Sequence, residues 1–434
     1  MSFKLVITMF KKIFFTLTCV ISTMSYGQQT DNTTLQLSKE QAEALFLEQN
    51  LDILAKRMEI SQAEAQLLQA RLWPNPTFEI AEVNLWKTRN IEEQPILFGN
   101  WGESQQFAFH LEQLIQTGGK RRKNIALQKL TIEEKTQEFE SVLRAAKLEL
   151  RNTFSQLQVL QQQKLIFEKQ INNTKSLIVA YKNQLDHGNI SQAEFIRLKA
   201  AELQFKKELM SINNDLEEAL KDLKNFINIG RYTNIIITDP LSVPEKELSE
   251  IELENWIITA QEQHPDALLS KNLEQQSLKK LEIEKAERVP DITLGVDYDR
   301  GGGIMTDFVG FGISFDLPIF DRNKGNIKEA KLDIEIAKLE TQNKMNELAN
   351  DIVEAFRNYY HANELYKDID SDYELQLDNL LEAYNKNFQK RNVSLIEYLD
   401  FVEAYIDNKT ILLETKKDLT DHYEKLQFAI GKEL

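Results

Sequence analysis

The segment LIQTGGKRRKNI, residues 114–125, is the strongest candidate in the sequence for anion chemistry. Paired glycines let backbone N–H groups crowd a phosphate, and Lys120, Arg121, Arg122 and Lys123 would neutralise it. The spacing does not suit a nucleotide loop. G-x-x-x-x-G-K-[ST] places a hydroxyl on Mg²⁺, whereas Arg121 follows Lys120 here. Metal chemistry fares no better. His110, His187, His264, His361 and His422 are scattered, without an H-x-x-x-H pair or a nearby cysteine. No G-x-S-x-G stretch offers a nucleophile. Carboxylates abound, but on helices rich in Glu and Lys they form solvated faces. The sequence assigns no catalytic, cofactor-binding or metal-binding residue, and the expectation is a protein that is not an enzyme and uses no cofactor.

Charge and export constrain the class. The 434 residues carry a formal charge of -16, which repels polyphosphate over most of the surface and argues against nucleic acid. Lys11-Lys12 followed by IFFTLTCVI forms a basic start and an apolar run too short to remain in a bilayer. Small residues at Ser25 and Gly27 predict cleavage after Gly27. MFKKIFF from Met9 is a complete signal opening by itself, so Met1 and Met9 both stand as starts. The single cysteine, Cys19, lies in the apolar run behind a poor lipoprotein cleavage box; its lipidation stays open. The mature chain then has no disulfide and no thiolate ligand. It also has no second apolar stretch of membrane-helix length.

The elements that must position these residues occur twice. YKNQLDHGNISQAEF starts at Tyr181 and YNKNFQKRNVSLIEY at Tyr384. ARLWPNPTF at 70–78 resembles AERVPDITL at 286–294, and Asn228-Ile229-Gly230 echoes Ala429-Ile430-Gly431. A repeat near 200 residues is a duplicated domain, not a solenoid. The expected division is a signal peptide at 1–27, a flexible segment at 28–37, a first repeat at 38–230, a linker at 231–247 with Pro240 and Pro244, and a second repeat at 248–432.

Each repeat predicts a long helical hairpin. Ile125, Ile132, Phe139, Ala146, Thr153 and Leu160 recur every seventh residue, and no glycine or proline interrupts 120–187. That gives a coiled-coil-like helix on the order of 100 Å at ~1.5 Å per residue. Ile327, Ile334, Thr341 and Leu348 repeat the stripe within a second helix at about 324–390. Return helices follow at about 191–229 and 394–430. Ser191 with Glu194, and Ser394 with Glu397, fit the S-x-x-E capping box. Helices at about 250–288 open the second repeat.

Ahead of each hairpin the period changes to two. Val309, Phe311, Ile313 and Phe315 alternate with Gly310, Gly312, Ser314 and Asp316. Strands are expected at about 77–86, 105–114, 291–299 and 307–317, the length that crosses a bilayer when tilted. A soluble sandwich would alternate in the same way. The export signal and the aromatic residues near strand ends (Trp86, Trp101, Tyr298, Phe308) point to a membrane barrel with an interfacial belt. Four strands cannot close, so protomers would combine to give eight, twelve or sixteen. Asp297, Asp299, Asp316 and Glu112 would face inward and favour cations.

In this order, and in duplicate, the elements resemble the TolC family of outer-membrane efflux ducts. The resemblance rests on R-L-W-P-N-P-T at 71–77, L-x-Q-x-I-x-T-G-G-K-R at 111–121, F-D-L-P-I-F-D-R-N-K-G at 315–325 and the turn-S-x-x-E segments. It implies a mostly α protein with a membrane β-barrel: a homotrimer whose protomers each give four strands to a twelve-stranded barrel in outer-membrane lipid, and long helices to a periplasmic α-barrel. It implies a passive channel that takes heavy-metal cations or drugs from a periplasmic adaptor and an inner-membrane pump of the RND type. The GGKR junction resembles the heavy-metal branch. Matching positions give a periplasmic gate at Glu397, Asp400 and Glu194. Adaptor-docking turns fall at Gly188, Asn189, Ile190 and Ser191, and at Arg391, Asn392, Val393 and Ser394. Strand-to-helix hinges fall at Gly118, Gly119 and Lys120, and at Lys324 and Gly325. Glu194 and Glu397 could equally serve only as capping residues, and Arg197 stands where a first-repeat counterpart of Asp400 would be. Arg391 replaces the glycine of Gly188, so the two turns are expected to differ in backbone unless that position avoids positive φ. A type I secretion duct and a periplasmic coiled-coil scaffold remain as alternatives.

Overall fold

The computed structural model describes residues 34–81, 83, 107–244, 248, 250–300, 307–370 and 372–434. The expected signal peptide, Cys19, Trp86 and Trp101 lie outside them. The chain divides into two compact units. The first gathers 1–50, 152–241 and 376–413; the second gathers 51–151, 242–375 and 414–434.

The second unit contains the sheet. Strands β2 (Thr77–Ala81), β3 (Ala108–Ile115), β5 (Ile292–Asp299) and β6 (Phe308–Ser314) form one antiparallel sheet in the order β2-β3-β5-β6. Residues opposite one another share a face. Phe78 faces Leu111, Leu111 faces Val296 and Val296 faces Phe311; Ile80, Phe109, Tyr298 and Val309 form the next row. The other face carries Glu79, His110, Asp297 and Gly310 in one row, and Thr77, Glu112, Gly295 and Gly312 in another. Period-two alternation therefore sorts apolar from polar side chains across all four strands.

The helices α2 (Leu51–Ala70), α5 (Glu250–Gln263), α6 (Pro265–Ala286) and α7 (Lys324–Lys367) also belong to this unit. Its core packs Trp256, Ile352, Phe356 and Tyr359 against Leu419, Leu426 and Ile430. The helices expected at 250–288 are two, divided at His264. Pro265 supplies no N–H, and His264 caps the second helix by accepting the Asp266 N–H on Nδ1 at 3.2 Å. Burial depresses the pKa of His264, and its Nε2 faces the Phe428 carbonyl at 3.4 Å. A neutral imidazole protonated on Nε2 satisfies both contacts.

The first unit holds α1 (Lys39–Gln49), α4 (Gln192–Phe226), α8 (Tyr373–Gln389, nearly all of it) and a small parallel sheet. Here β1 (Thr34–Leu37) pairs with β4 (Asn234–Ile237). Neither segment carries a readable pattern in the sequence, which predicts a flexible start for one and a linker for the other. Leu37, Ile235 and Ile237 are buried, and the β-branched run NIII gains that burial only when a partner strand satisfies its backbone.

Helix α3 (Lys120–Asp186) runs 67 residues without a break and contributes to both units, as α9 (Leu395–Ile430) does. The second long helix, expected at 324–390, is interrupted instead. It stops at Lys367 and resumes as α8 at Tyr373. Asp368, Asp370 and Asp372 crowd the gap. Aspartate favours caps over helix interiors, and the Tyr373 N–H donates to the Asp370 carbonyl at 2.9 Å. No described helix is long and apolar enough to cross a membrane.

Candidate functional site

Two turns and two strand-to-helix junctions gather the predicted residues. The turns lie in the first unit. Helix α3 ends where the Asn189 N–H donates to the Gln184 carbonyl (2.8 Å) and the Gly188 N–H to the Leu185 carbonyl (2.9 Å). Helix α8 ends in the same way, Asn392 donating to Asn387 (3.0 Å) and Arg391 to Phe388 (3.0 Å). Both are Schellman motifs, which need a left-handed residue at the first position past the cap. Gly188 takes φ 75° and Arg391 takes φ 61°. The expected difference in backbone is thus absent: the arginine adopts the glycine conformation. Its exposed guanidinium donates to Gln184 Oε1 at 2.7 Å, which also accepts from Asn189 Nδ2 at 2.8 Å. Gln184 therefore ties one turn to the other. Tyr181 stacks on Phe388 (centroids 5.7 Å, 17°), and Phe388 stacks on Tyr398 (4.3 Å, 12°). Ile190 and Val393 sit half-buried beside them.

The return helices begin with capping boxes. Ser191 N–H donates to Glu194 Oε2 (2.8 Å), and Glu194 N–H to Ser191 Oγ (3.2 Å). Ser394 and Glu397 repeat the pair at 2.9 and 3.3 Å. These hydrogen bonds from the serine backbone and hydroxyl hold both carboxyls below the usual carboxylate range. Asp400, one turn past Glu397, is exposed and makes no hydrogen bond or ion pair among the described residues. Of the three predicted gate residues, it alone presents an uncommitted charge. Tyr398 is buried between them; its hydroxyl donates to Asn385 Oδ1 at 2.8 Å, and burial pushes its pKa up to about 12.

The junction at 117–123 lies in the second unit and answers the anion question. Gly118 and Gly119 take φ 61° and 72°. A Cβ on Gly118 would meet the Ala286 carbonyl at 3.1 Å and Val289 Cβ at 3.3 Å. Three of the four basic side chains are engaged internally, and Arg122 is exposed. Lys120 is buried and pairs with Asp291 (3.0 Å) and Glu287 (3.1 Å). Burial works against its charge, but these two partners outweigh that and raise its pKa. Asp291 also accepts the Thr117 N–H at 2.9 Å. Arg121 lies over the Trp73 ring at 4.6 Å and donates to the Arg71 carbonyl. Lys123 donates to the Gly118 carbonyl at 3.1 Å. This is a cross-braced turn from strand to helix.

The second junction uses different residues from those predicted. The left-handed position is Asn323, at φ 54°. Its amide donates to the Glu284 carbonyl (2.9 Å) and to Glu284 Oε2 (2.6 Å), while its N–H donates to Asp321 Oδ1 (2.8 Å). Gly325 lies in the first turn of α7 without positive φ, and Lys324 is exposed. Asparagine can enter the left-handed region because its amide bonds locally, a signal present in the sequence beside the glycine. Asp291 and Glu287 carried no signal, because their partner lies over 160 residues away in the chain.

On the polar face of the sheet, His110 Nδ1 sits 2.6 Å from Asp297 Oδ1. Strand register alone predicts this pair. No group of three or more His, Cys, Asp or Glu placed to hold a metal occurs among the described residues.

The chain thus joins a sheet with one bare apolar face to long helical hairpins with matched turns. Residues 42–228 match the model of the outer membrane efflux protein family, in keeping with the TolC-like motifs. Solved structures share the fold over nearly the whole chain. CusC, studied for the changes that accompany its folding and transmembrane channel formation, matches with TM-score 0.71 at 14% identity over 94% of this chain and 96% of its own. The CmeC outer membrane channel of Campylobacter jejuni matches with TM-score 0.72 at 17% identity, over 94% and 90%. The open state of the MtrE outer membrane channel of Neisseria gonorrhoeae matches with TM-score 0.69 at 14% identity, over 91% and 89%. No curated protein matches the sequence.

Proposed function

We propose that the chain is the outer-membrane channel of a tripartite exporter, working as a homotrimer. Three four-stranded sheets close a twelve-stranded barrel in outer-membrane lipid, and the hairpins of three chains form a helical conduit in the periplasm. The observation that carries this reading is the bare apolar face of the sheet. Phe311 is 83% exposed, and Phe78, Ile80, Leu111, Val296, Val309 and Ile313 are all exposed. A water-soluble protein does not leave so broad an apolar face uncovered. Lipid covers such a face, and a neighbouring sheet satisfies the open edges at β2 and β6. The opposite face, with Glu79, Asp297 and Glu112, then lines a cation-favouring lumen, suited to heavy-metal cations or cationic drugs.

The left-handed residues support an internal duplication. Asn228 follows Gly188 by 40 residues (228 − 188), and Gly431 follows Arg391 by 40 (431 − 391). The two turns form the docking end for a periplasmic adaptor, which links the duct to an inner-membrane pump that supplies the energy. Asp400, with Glu397 and Glu194, narrows the closed end, and opening is an iris-like untwisting of the hairpins.

The test is location and mass. Expressed in full, the protein is expected in the outer-membrane fraction, and light scattering with detergent subtracted is expected to weigh three chains. A soluble monomer or dimer would mean the apolar face never meets lipid, and the reading would fall.

A further inference from the structure

The first unit contains a cavity of about 350 Å³ between α3, α4 and α9. That size suits a small organic ligand. Its walls include Phe167, Phe205, Ile212 and Ile406, all buried, with the two phenyl rings edge to face at 6.4 Å. Gln163 also lines it. This side chain is only 9% exposed and makes no hydrogen bond among the described residues. Its amide oxygen is free to accept a hydrogen bond from a guest. Four exposed carboxylates complete the lining: Glu208 and Asp215 from α4, Glu403 and Asp407 from α9. None is in an ion pair among the described residues, and no Lys or Arg lines the cavity.

We infer that this cavity is a binding site for an amphipathic organic monocation with N–H donors, of the arylalkylammonium class. The aryl group would rest on Phe167 and Phe205, where ring faces also attract the cation. The ammonium would donate to Gln163 Oε1 and to the carboxylates. The cavity opens among the helices of one chain and requires none of the channel reading.

The test uses the full-length protein in detergent, titrated calorimetrically with phenethylammonium and, separately, with neutral phenethyl alcohol. The ammonium is expected to bind saturably and the alcohol at least about tenfold more weakly, the cost of one lost charge-assisted hydrogen bond. Glu403→Gln/Asp407→Asn, Glu208→Gln/Asp215→Asn and Gln163→Leu should each weaken the ammonium by a similar factor, while Glu217→Gln, outside the cavity, should not. Helical circular dichroism checks that each variant folds. Equal binding of ammonium and alcohol, unchanged binding in both carboxylate pairs, or no saturable binding to the native particle would overturn the inference. The last result would mean that a neighbouring chain fills the cavity.

Discussion

Arg391 holds φ 61° at the turn position where Gly188 holds φ 75°. One residue pays almost nothing for that conformation, and the other loses about 1–2 kcal/mol. Gly188 has nothing within 4 Å of a would-be Cβ, so any penalty of a side chain there is purely backbone. Gly188→Ala is expected to destabilise the hairpin by about 1 kcal/mol, read as a lower thermal midpoint. Arg391→Gly should change stability by less than about half of that, because relief of strain is offset by the lost bond to Gln184 and by the freer unfolded chain.

Lys120 is the counterion that keeps two carboxylates satisfied at the first junction. Lys120→Met leaves Asp291 and Glu287 facing an apolar end, at an expected cost of about 2 kcal/mol, below the usual figure for a fully buried pair because Glu287 is partly exposed. The pKa of Lys120 is raised in the folded protein, so its stabilisation is complete below the unfolded value of 10.5 and is lost as pH rises through the higher folded value. The difference in melting midpoint between wild type and Lys120→Met should therefore be constant at neutral pH and shrink above about pH 10.5. A constant difference through that window would show that the pair is not the source.

Tyr398 offers a spectroscopic readout of the first unit. Its folded pKa of about 12 lies above the ordinary 10.0. The unfolded chain releases this proton first, so the phenol's contribution is intact below pH 10 and declines between there and about 12. Ultraviolet titration of the folded protein should show a tyrosine that ionises near the top of that window and is missing in Tyr398→Phe. The same variant leaves Asn385 Oδ1 without its donor, at an expected cost of about 1 kcal/mol.

Much of this architecture was legible because it is periodic. Heptads announced α3 and α7, and period-two runs announced the sheet with its two faces, which fix strand pairing by register. Features set by a single residue or a distant partner were harder to read. Four-residue strands such as β1 and β4 carry too short a pattern to identify. The break before α8 depended on three aspartates prevailing over an otherwise continuous heptad. Glycine is the usual marker of left-handed backbone, yet Asn323 and Arg391 hold it at two of the four predicted sites. The capping boxes were readable, because both partners lie within one turn, and they qualify the gate: two of its three carboxylates already have structural work.

That division of labour makes the proposed gate separable by mutation. Glutamine also closes a capping box, so Glu397→Gln removes charge while leaving the start of α9 in place. Ser394→Ala does the reverse, removing the cap at about 1 kcal/mol and sparing the charge. The capping contribution of Glu397 has its own pH signature. Its folded pKa is depressed, so the stabilisation is present above the unfolded value of 4.5 and is lost as pH falls through the folded one. Asp400 has no such role. If three copies ring the closed end, Asp400→Asn should reduce the cation-to-anion permeability ratio in planar bilayers, with a smaller effect for Glu397→Gln and none for Ser394→Ala. The double variant Glu397→Gln/Asp400→Asn should also raise single-channel conductance by loosening the constriction. A permeability ratio unchanged in Asp400→Asn, with unchanged conductance in the double variant, would remove these residues from the gate and leave Glu397 as a helix cap alone.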